Sequence, residues 1–281
     1  MAFSVNTNTG AMAALQSLSA TNKSMDVTQS RITTGLSVSS TKDDSAKFTV
    51  AQTLRGDMGG LNAVTSSLNN AKSVVDVAVS GVEQISDLVN DMKSKAYEVA
   101  SETDQGSRDA IIKDYDNLKK QIDSIISSSD FNGVNLLDAS GGEVKSLQSL
   151  DVSVGSTLDV ASIDLETELT TAGTGGGALD GATDLVDAAT AGTAVTALDT
   201  LSDSLNDHLS TLGAASRQIE GQLEFNSSLT DVIETGIGNL VDADLAKESA
   251  KLQALQVQQQ LGVQALSIAN QAPQTILSLF R

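Results

Sequence analysis

The chain has 281 residues, a formal net charge of -19, 40% hydrophobic residues and only 2% aromatic residues, with no Cys, no Trp, one Pro and one His. That apolar fraction supports a core, but so few aromatics disfavour a large ligand cavity. The absence of Cys removes disulfides and thiolate chemistry, the single His208 removes multi-His metal sites, and the acidity argues against nucleic acid as a partner.

Residues 1–22 contain no charged side chain. They have no basic start and no continuous apolar run, so they do not read as a cleavable signal peptide. Ala11, Leu15, Leu18, Asn22, Met25, Gln29, Ile32 and Leu36 alternate steps of 4 and 3, which predicts a helix with a mixed apolar and polar seam. Asp43-Asp44 then reads as charge at a helix N-terminus, favoured by the macrodipole, rather than as a metal or acid–base pair.

Leu54, Met58 and Leu61 step by 4 and 3, and the series continues through Val64, Leu68, Ala71, Val75, Ala78, Val82, Ile85, Val89, Met92, Ala96 and Val99. Two consecutive steps of 3 around Leu61 place a stammer near Gly59 and Gly60. Gly106 and the polar run before it are expected to stop this helix. A second helix follows over 107–128, with Ile111, Tyr115, Leu118, Ile122 and Ile125 on one face.

The texture then changes. Phe131-Asn-Gly133 is a turn signal. Leu150 to Val154 alternates like a strand, and Gly155-Ser156-Thr157 predicts its return as Leu158-Asp-Val160 in a hairpin. Residues 170–182 are rich in Gly, Ala and Thr and read as exposed loop. Gly175 and Gly177 fit two positions of a dinucleotide fingerprint, but Asp180 occupies the third, so the phosphate-loop reading fails.

Heptads resume with Leu198, Leu205, Leu212, Ile219, Asn226, Ile233 and Leu240, beside Leu201, His208, Ala215, Gln222, Leu229 and Gly236. Polar groups on such a seam cost stability and fix register. His208 reads as a packed helix residue. Asp242-Ala-Asp244 opens the last helix, with Asp242 as the expected N-cap. Leu245, Leu252, Gln259 and Leu266 are seven apart, as are Leu255, Gly262, Ala269 and Ile276. Residues 252–280 again lack charge but carry eight Gln, too many amides for a membrane span. The segments 1–40 and 241–281 hold net charges of +1 and 0, so 41–240 holds -20. The middle therefore reads as surface facing water, and the two ends as surface facing protein. Nothing in the chain assembles a nucleophile, a base and an oxyanion site.

Several segments, in order, resemble bacterial flagellins: Val5-Asn-Thr-Asn8, Ser30-Arg-Ile-Thr-Thr-Gly-Leu36, Thr41-Lys-Asp-Asp-Ser-Ala46, Phe131-Asn-Gly-Val-Asn-Leu-Leu137, Asn239-Leu-Val-Asp-Ala-Asp-Leu-Ala246 and 267–281. The style is that of alphaproteobacterial flagellins with a minimal variable region. The resemblance implies a mainly α fold: a long antiparallel coiled-coil rod with a small β-hairpin region and paired N- and C-termini. It assigns 1–40 and 241–281 to an inner-core coiled coil. Residues 41–165 and 195–240 form the outer-core rod, with the β region near 131–165, and 166–194 is a short exposed variable loop.

The function it implies is a structural, non-enzymatic subunit without cofactor, polymerising with itself and with other flagellins into an extracellular swimming filament. Its further partners would be the flagellar export apparatus, an export chaperone, and hook-junction and cap proteins. Neither nucleic acid nor membrane is among them. The alternative is a hook–filament junction-type protein. Inter-subunit contacts are expected from Leu15, Leu18, Ile32, Leu252, Leu255, Leu266, Ile276 and Leu279. The rod core is expected from Leu54, Leu68, Val75, Val82, Ile85, Val89, Leu205, Leu212 and Ile219. One departure stands out. Where flagellins recognised by the animal innate receptor carry an Arg-x-Arg-Glu-Leu cluster, this chain reads Asp91-Met-Lys-Ser-Lys95, which implies weak recognition.

Overall fold

The computed structural model describes residues 7–138, 140, 142–150, 157–171 and 188–279. Helix α1 runs over Thr9–Thr34, with Asn8 as N-cap accepting from the Ala11 amide at 3.0 Å. It ends at Gly35, whose φ of 74° lets its N–H reach the Arg31 carbonyl. Helix α2 covers Ser45–Ser101. The Asp44 carboxylate accepts from the Ala46 and Lys47 amides, each at 3.1 Å, and so caps it. Asp43 acts differently: its Oδ2 accepts from the amides and hydroxyls of Ser39 and Ser40. Those bonds, from Ser39 first, hold its carboxyl below the usual carboxylate range.

Helix α3 covers Gln105–Ser128. The polar run before Gly106 holds the stop, as expected, while Gly106 itself lies in the first turn of α3. The break falls at 102–104 because Glu102 accepts from the Thr103 and Asp104 amides while Asp104 caps α3 through the Ser107 amide. Strands β1 (Asp130–Phe131) and β2 (Val134–Asn135) pair antiparallel, with Phe131 opposite Val134. Asn132 (φ 55°) and Gly133 (φ 79°) are both left-handed, the requirement of a two-residue type I′ hairpin. Buried Asn135 ties this hairpin to α3 by donating to the Ile126 carbonyl at 2.7 Å.

The second hairpin differs from expectation. β4 (Thr157–Val160) pairs with β3 (Val144–Leu147), Val144 opposite Val160 and Ser146 opposite Leu158. Leu150 is an exposed bend, and 151–156 lie outside the described residues. The inward face of β3 includes Ser146, 1% exposed, which broke the apolar alternation in the sequence. Segment 166–194 is also not a loop throughout. Helix α4 (Leu165–Thr171) and the first turns of α5 (Ala188–Val241) occupy its ends, burying Leu165, Leu169, Ala191 and Ala194. Residues 172–187 lie outside the described residues. Helix α6 covers Leu245–Leu279. Its cap is Asp244, accepting from the Lys247 amide, rather than Asp242. Asp242 pairs with Leu36 in a short antiparallel bridge, next to which the Ala243 amide donates to the Gly35 carbonyl.

Two compact units result, one from residues up to Met58 together with those from Asp231 onward, the other Gly59–Thr230. The boundary coincides with the glycine pair at the stammer. In the second unit every member of the series from Leu61 to Val99 is buried. Leu68, Val75, Val82, Ile85 and Val89 share one core with Leu205, Leu212 and Ile219 of α5. Leu54 belongs instead to a separate cluster in the first unit, with Val38, Ala51, Ile237 and Val241. Three cross-links fix α2 and α5 as antiparallel within the second unit. Asn226 donates to the Leu61 carbonyl and the Thr65 hydroxyl, Lys72 pairs with Glu220, and Lys93 pairs with Asp199.

Gly81 marks close packing of α2 against two buried neighbours in this unit. A Cβ there would lie 2.6 Å from the Ser129 hydroxyl and 2.8 Å from Leu137 Cδ1. Ser129 is held in place, donating to the Ile125 carbonyl at 2.7 Å. Gly81→Ala therefore forces α2 away from the α3 end and costs about 1–3 kcal/mol of unit stability, despite the usual helical gain from Ala. Calorimetric melting of the variant checks this; an unchanged or raised midpoint contradicts it.

Candidate assembly interface

The helices from the two chain ends, α1 and α6, lie against each other along their length. Three polar rungs set an antiparallel register. Asn8 Nδ2 donates to the Ala269 carbonyl at 2.7 Å, Gln259 Nε2 to Asn22 Oδ1 at 2.9 Å, and Arg31 Nη1 to Glu248 Oε1 at 3.2 Å. Between the rungs the packing is small-residue packing. A Cβ on Gly262 would sit 3.3 Å from Leu18 Cδ1, which shows how closely the two backbones approach.

Among the described side chains of α6 the least exposed are Glu248, Leu252, Leu255, Gln259, Gly262, Leu266 and Ala269, which belong to the two expected series apart from Glu248, whereas Leu245 of the first series is exposed. In α1 the seam is Ala11, Ala14, Leu18, Thr21, Met25, Thr28 and Ile32. Two members fall one residue earlier than expected, Ala14 and Thr28 replacing Leu15 and Gln29, while Thr21 joins the expected Asn22, which accepts from Gln259 across the seam. Close approach explains the shift, because small or β-branched residues fit where Leu15 does not.

Large aliphatic side chains are left facing outward. Met12 is 67% exposed, Leu15 59%, Leu261 58%, Val263 53% and Ile268 69%. These aliphatic groups lie on faces of the pair turned away from its own seam, the kind of surface that marks an interaction site when it is covered by a partner. Of the sequence-predicted contact residues, Leu15 is outward, Leu255 is buried in the pair, and Leu18, Ile32, Leu252 and Leu266 are half-buried. The side chains of Ile276 and Leu279 lie outside the described residues. Met12, Leu261, Val263 and Ile268 escaped the heptad reading, which selects one face. The signal that could have found them was the absence of charge on every face of these segments.

Polar chemistry elsewhere is structural. His208 Nε2 lies 2.9 and 3.1 Å from the two Glu168 oxygens, tethering α5 to α4. Lys93 and Lys95, in the stretch that departs from the receptor-recognised cluster, pair with Asp199 and Glu98. Among the described residues no group of His, Cys, Asp or Glu is arranged to hold a metal ion. No helix among them is long and apolar enough to cross a membrane.

The chain is similar to several known proteins. Residues 5–141 match the bacterial flagellin N-terminal helical region and 186–280 the bacterial flagellin C-terminal helical region. Flagellin FljM of Caulobacter vibrioides is 42% identical over 280 residues, covering 99% of this chain and 98% of its own. A flagellin of Brucella melitensis is 41% identical over 289 residues, with 99% of both chains covered. Among solved structures, Bacillus cereus flagellin superposes with a TM-score of 0.50 at 27% identity, covering 57% of this chain and 88% of that one. A putative flagellar hook-associated protein from Vibrio parahaemolyticus shares the fold, with a TM-score of 0.61 at 14% identity, covering 71% of this chain and all of that one. Matched at both helical regions and along its whole length, the chain belongs to the bacterial flagellin family.

Proposed function

We infer that this flagellin is a structural subunit that polymerises into the bacterial flagellar filament and serves swimming motility, without catalytic chemistry of its own. The observation that carries the reading is the outward aliphatic array on the paired terminal helices. Copies of the chain bury it against one another, and the gain is about 1.5–3 kcal/mol for each large side chain fully covered. Identical subunits joined through two different patches extend without closing, which is what a helical filament requires. The acidic middle, carrying -20, faces water. We assign Leu15, Leu18, Ile32, Leu252, Leu255, Leu266, Ile276 and Leu279 to the inner-core contacts, and the filament's location is outside the cell.

Delivery by the flagellar export apparatus with a chaperone, and contacts with cap and hook-junction proteins, follow from the family and belong to the same proposal. No particular observation favours the hook–filament junction alternative. Full-length purified subunit added to short filament seeds is expected to give polymers many seed-lengths long by electron microscopy. Addition that stops after one layer would transfer the protein to the junction class.

A further inference from the structure

The chain has no Cys and no Trp, so methionine sulfur is its most readily oxidised group. The five Met differ sharply in access. Met92 is 0% exposed in the core of α2, and Met25 and Met58 are half-buried. Met1 lies outside the described residues. Met12 is 67% exposed, in an open groove of α1 that Thr9, Leu15, Gln16 and Ser19 also line. Its neighbours in the outward array, Leu15, Leu261, Val263 and Ile268, are plain hydrocarbon. Met12 is therefore the member of that array whose polarity an oxidant can change.

We propose that Met12 is an oxidation-sensitive modification site that controls entry of the free subunit into the filament. The co-reactant is hydrogen peroxide. A lone pair of the thioether sulfur attacks one peroxide oxygen, the O–O bond breaks, an S–O bond forms and water leaves. The sulfur loses two electrons and the peroxide gains them. The resulting sulfoxide turns a flexible apolar side chain into a polar one. On a free subunit the S–O group stays hydrated and costs little. Under a neighbouring copy it loses that water without gaining a partner. Oxidised subunits thus add poorly, whereas subunits already in place shield their own Met12. A sulfoxide reductase restores the thioether with electrons from thiols, and a chain without Cys offers those thiols no competing target. The consequence rests on the filament reading, while the preference for Met12 over the other Met is a property of the single chain.

The test exposes full-length free subunits and, separately, grown filaments to graded hydrogen peroxide, and locates the added oxygen by peptide mass spectrometry. Met12 is expected to oxidise first in the free subunit, and about tenfold more slowly in filaments. Subunits carrying the Met12 sulfoxide are expected to need about tenfold more protein for seeded growth than untreated ones. Each variant is compared with its own untreated sample. Met12→Leu is expected to lose the sensitivity to peroxide, and Met12→Gln, polar without oxidation, to need a raised concentration before any treatment. Oxidation of Met25 or Met58 ahead of Met12, unchanged growth of subunits shown to carry the Met12 sulfoxide, or an equal loss in Met12→Leu would overturn the proposal. So would growth of untreated Met12→Gln at the wild-type concentration. The order of oxidation is read on free subunits, so its outcome is separate from failure of the untreated wild type to extend seeds, which would count against the function itself.

Discussion

Replacing Leu15 by Glu is expected to abolish filament growth while leaving the free subunit as helical as the wild type. Leu15 is 59% exposed and points away from the seam that Ala14 and Leu18 make with α6. Within one chain the substitution therefore loses little packing, and Glu is a good helix former. In the proposed filament the same position is covered by neighbouring copies. There the change removes about 1.5–3 kcal/mol of apolar burial and adds the cost of an unpaired carboxylate taken out of water. A combined loss above about 4 kcal/mol per subunit corresponds to roughly a thousandfold rise in the concentration needed for growth. Leu15→Ala forfeits only part of the burial and should raise that concentration by about tenfold. Circular dichroism of the free protein and seeded growth followed by light scattering separate the two effects. Growth of Leu15→Glu at wild-type concentrations would place this side chain outside the assembly contacts.

The legibility of the chain varies with how much each element owes to its own periodicity. The α2 series from Leu61 to Val99 could be read residue by residue, because one long helix repeats one rule and its large apolar groups have a single place to go. In α1 the rule was diluted. Ala14 and Thr28 compete with Leu15 and Gln29 for the same seam, and the 4 and 3 spacing chose the larger residue where backbone proximity chose the smaller. Gly81 carried no signal at all, since the need for an absent side chain depends on Ser129 and Leu137 arriving from distant sequence. Strand β3 was missed for a related reason: Ser146 is interior only because Leu158 stands opposite it. The helix break falls in the polar run that was legible, set by carboxylates, Glu102 and Asp104, capturing amides, while Gly106 lies in the first turn of α3. In the terminal helices, seam spacing pointed to the face that meets within the chain, while the exposed Met12, Leu261, Val263 and Ile268, which we assign to contacts between copies, lie off that spacing.

Leu205→Ala is expected to act in the opposite way to Leu15→Glu, lowering the stability of the second unit by about 2–5 kcal/mol. Leu205 is 0% exposed and belongs to the core shared by α2 and α5, so truncation leaves a cavity between two helices that cannot close without disturbing their other contacts. Collapse is resisted on either side in sequence. Lys93–Asp199 pins the pair at one end, and Asn226, donating to the Leu61 carbonyl at 2.9 Å, pins it at the other. For a unit of this size the loss translates into a melting midpoint lower by about 5–15 °C, measurable by calorimetry. Among the described residues no side chain of α1 or α6 belongs to this core, so Leu205→Ala filaments should still grow from seeds well below the new midpoint, at a concentration close to that of the wild type. The two variants together form a crossed test: one blocks growth with the core intact, the other weakens the core with growth intact. If Leu205→Ala stopped growth at temperatures where the unit remains folded, the separation of core from assembly contacts would fail. A midpoint shift below about 2 °C would show that the α2–α5 seam collapses far more easily than its polar pins allow.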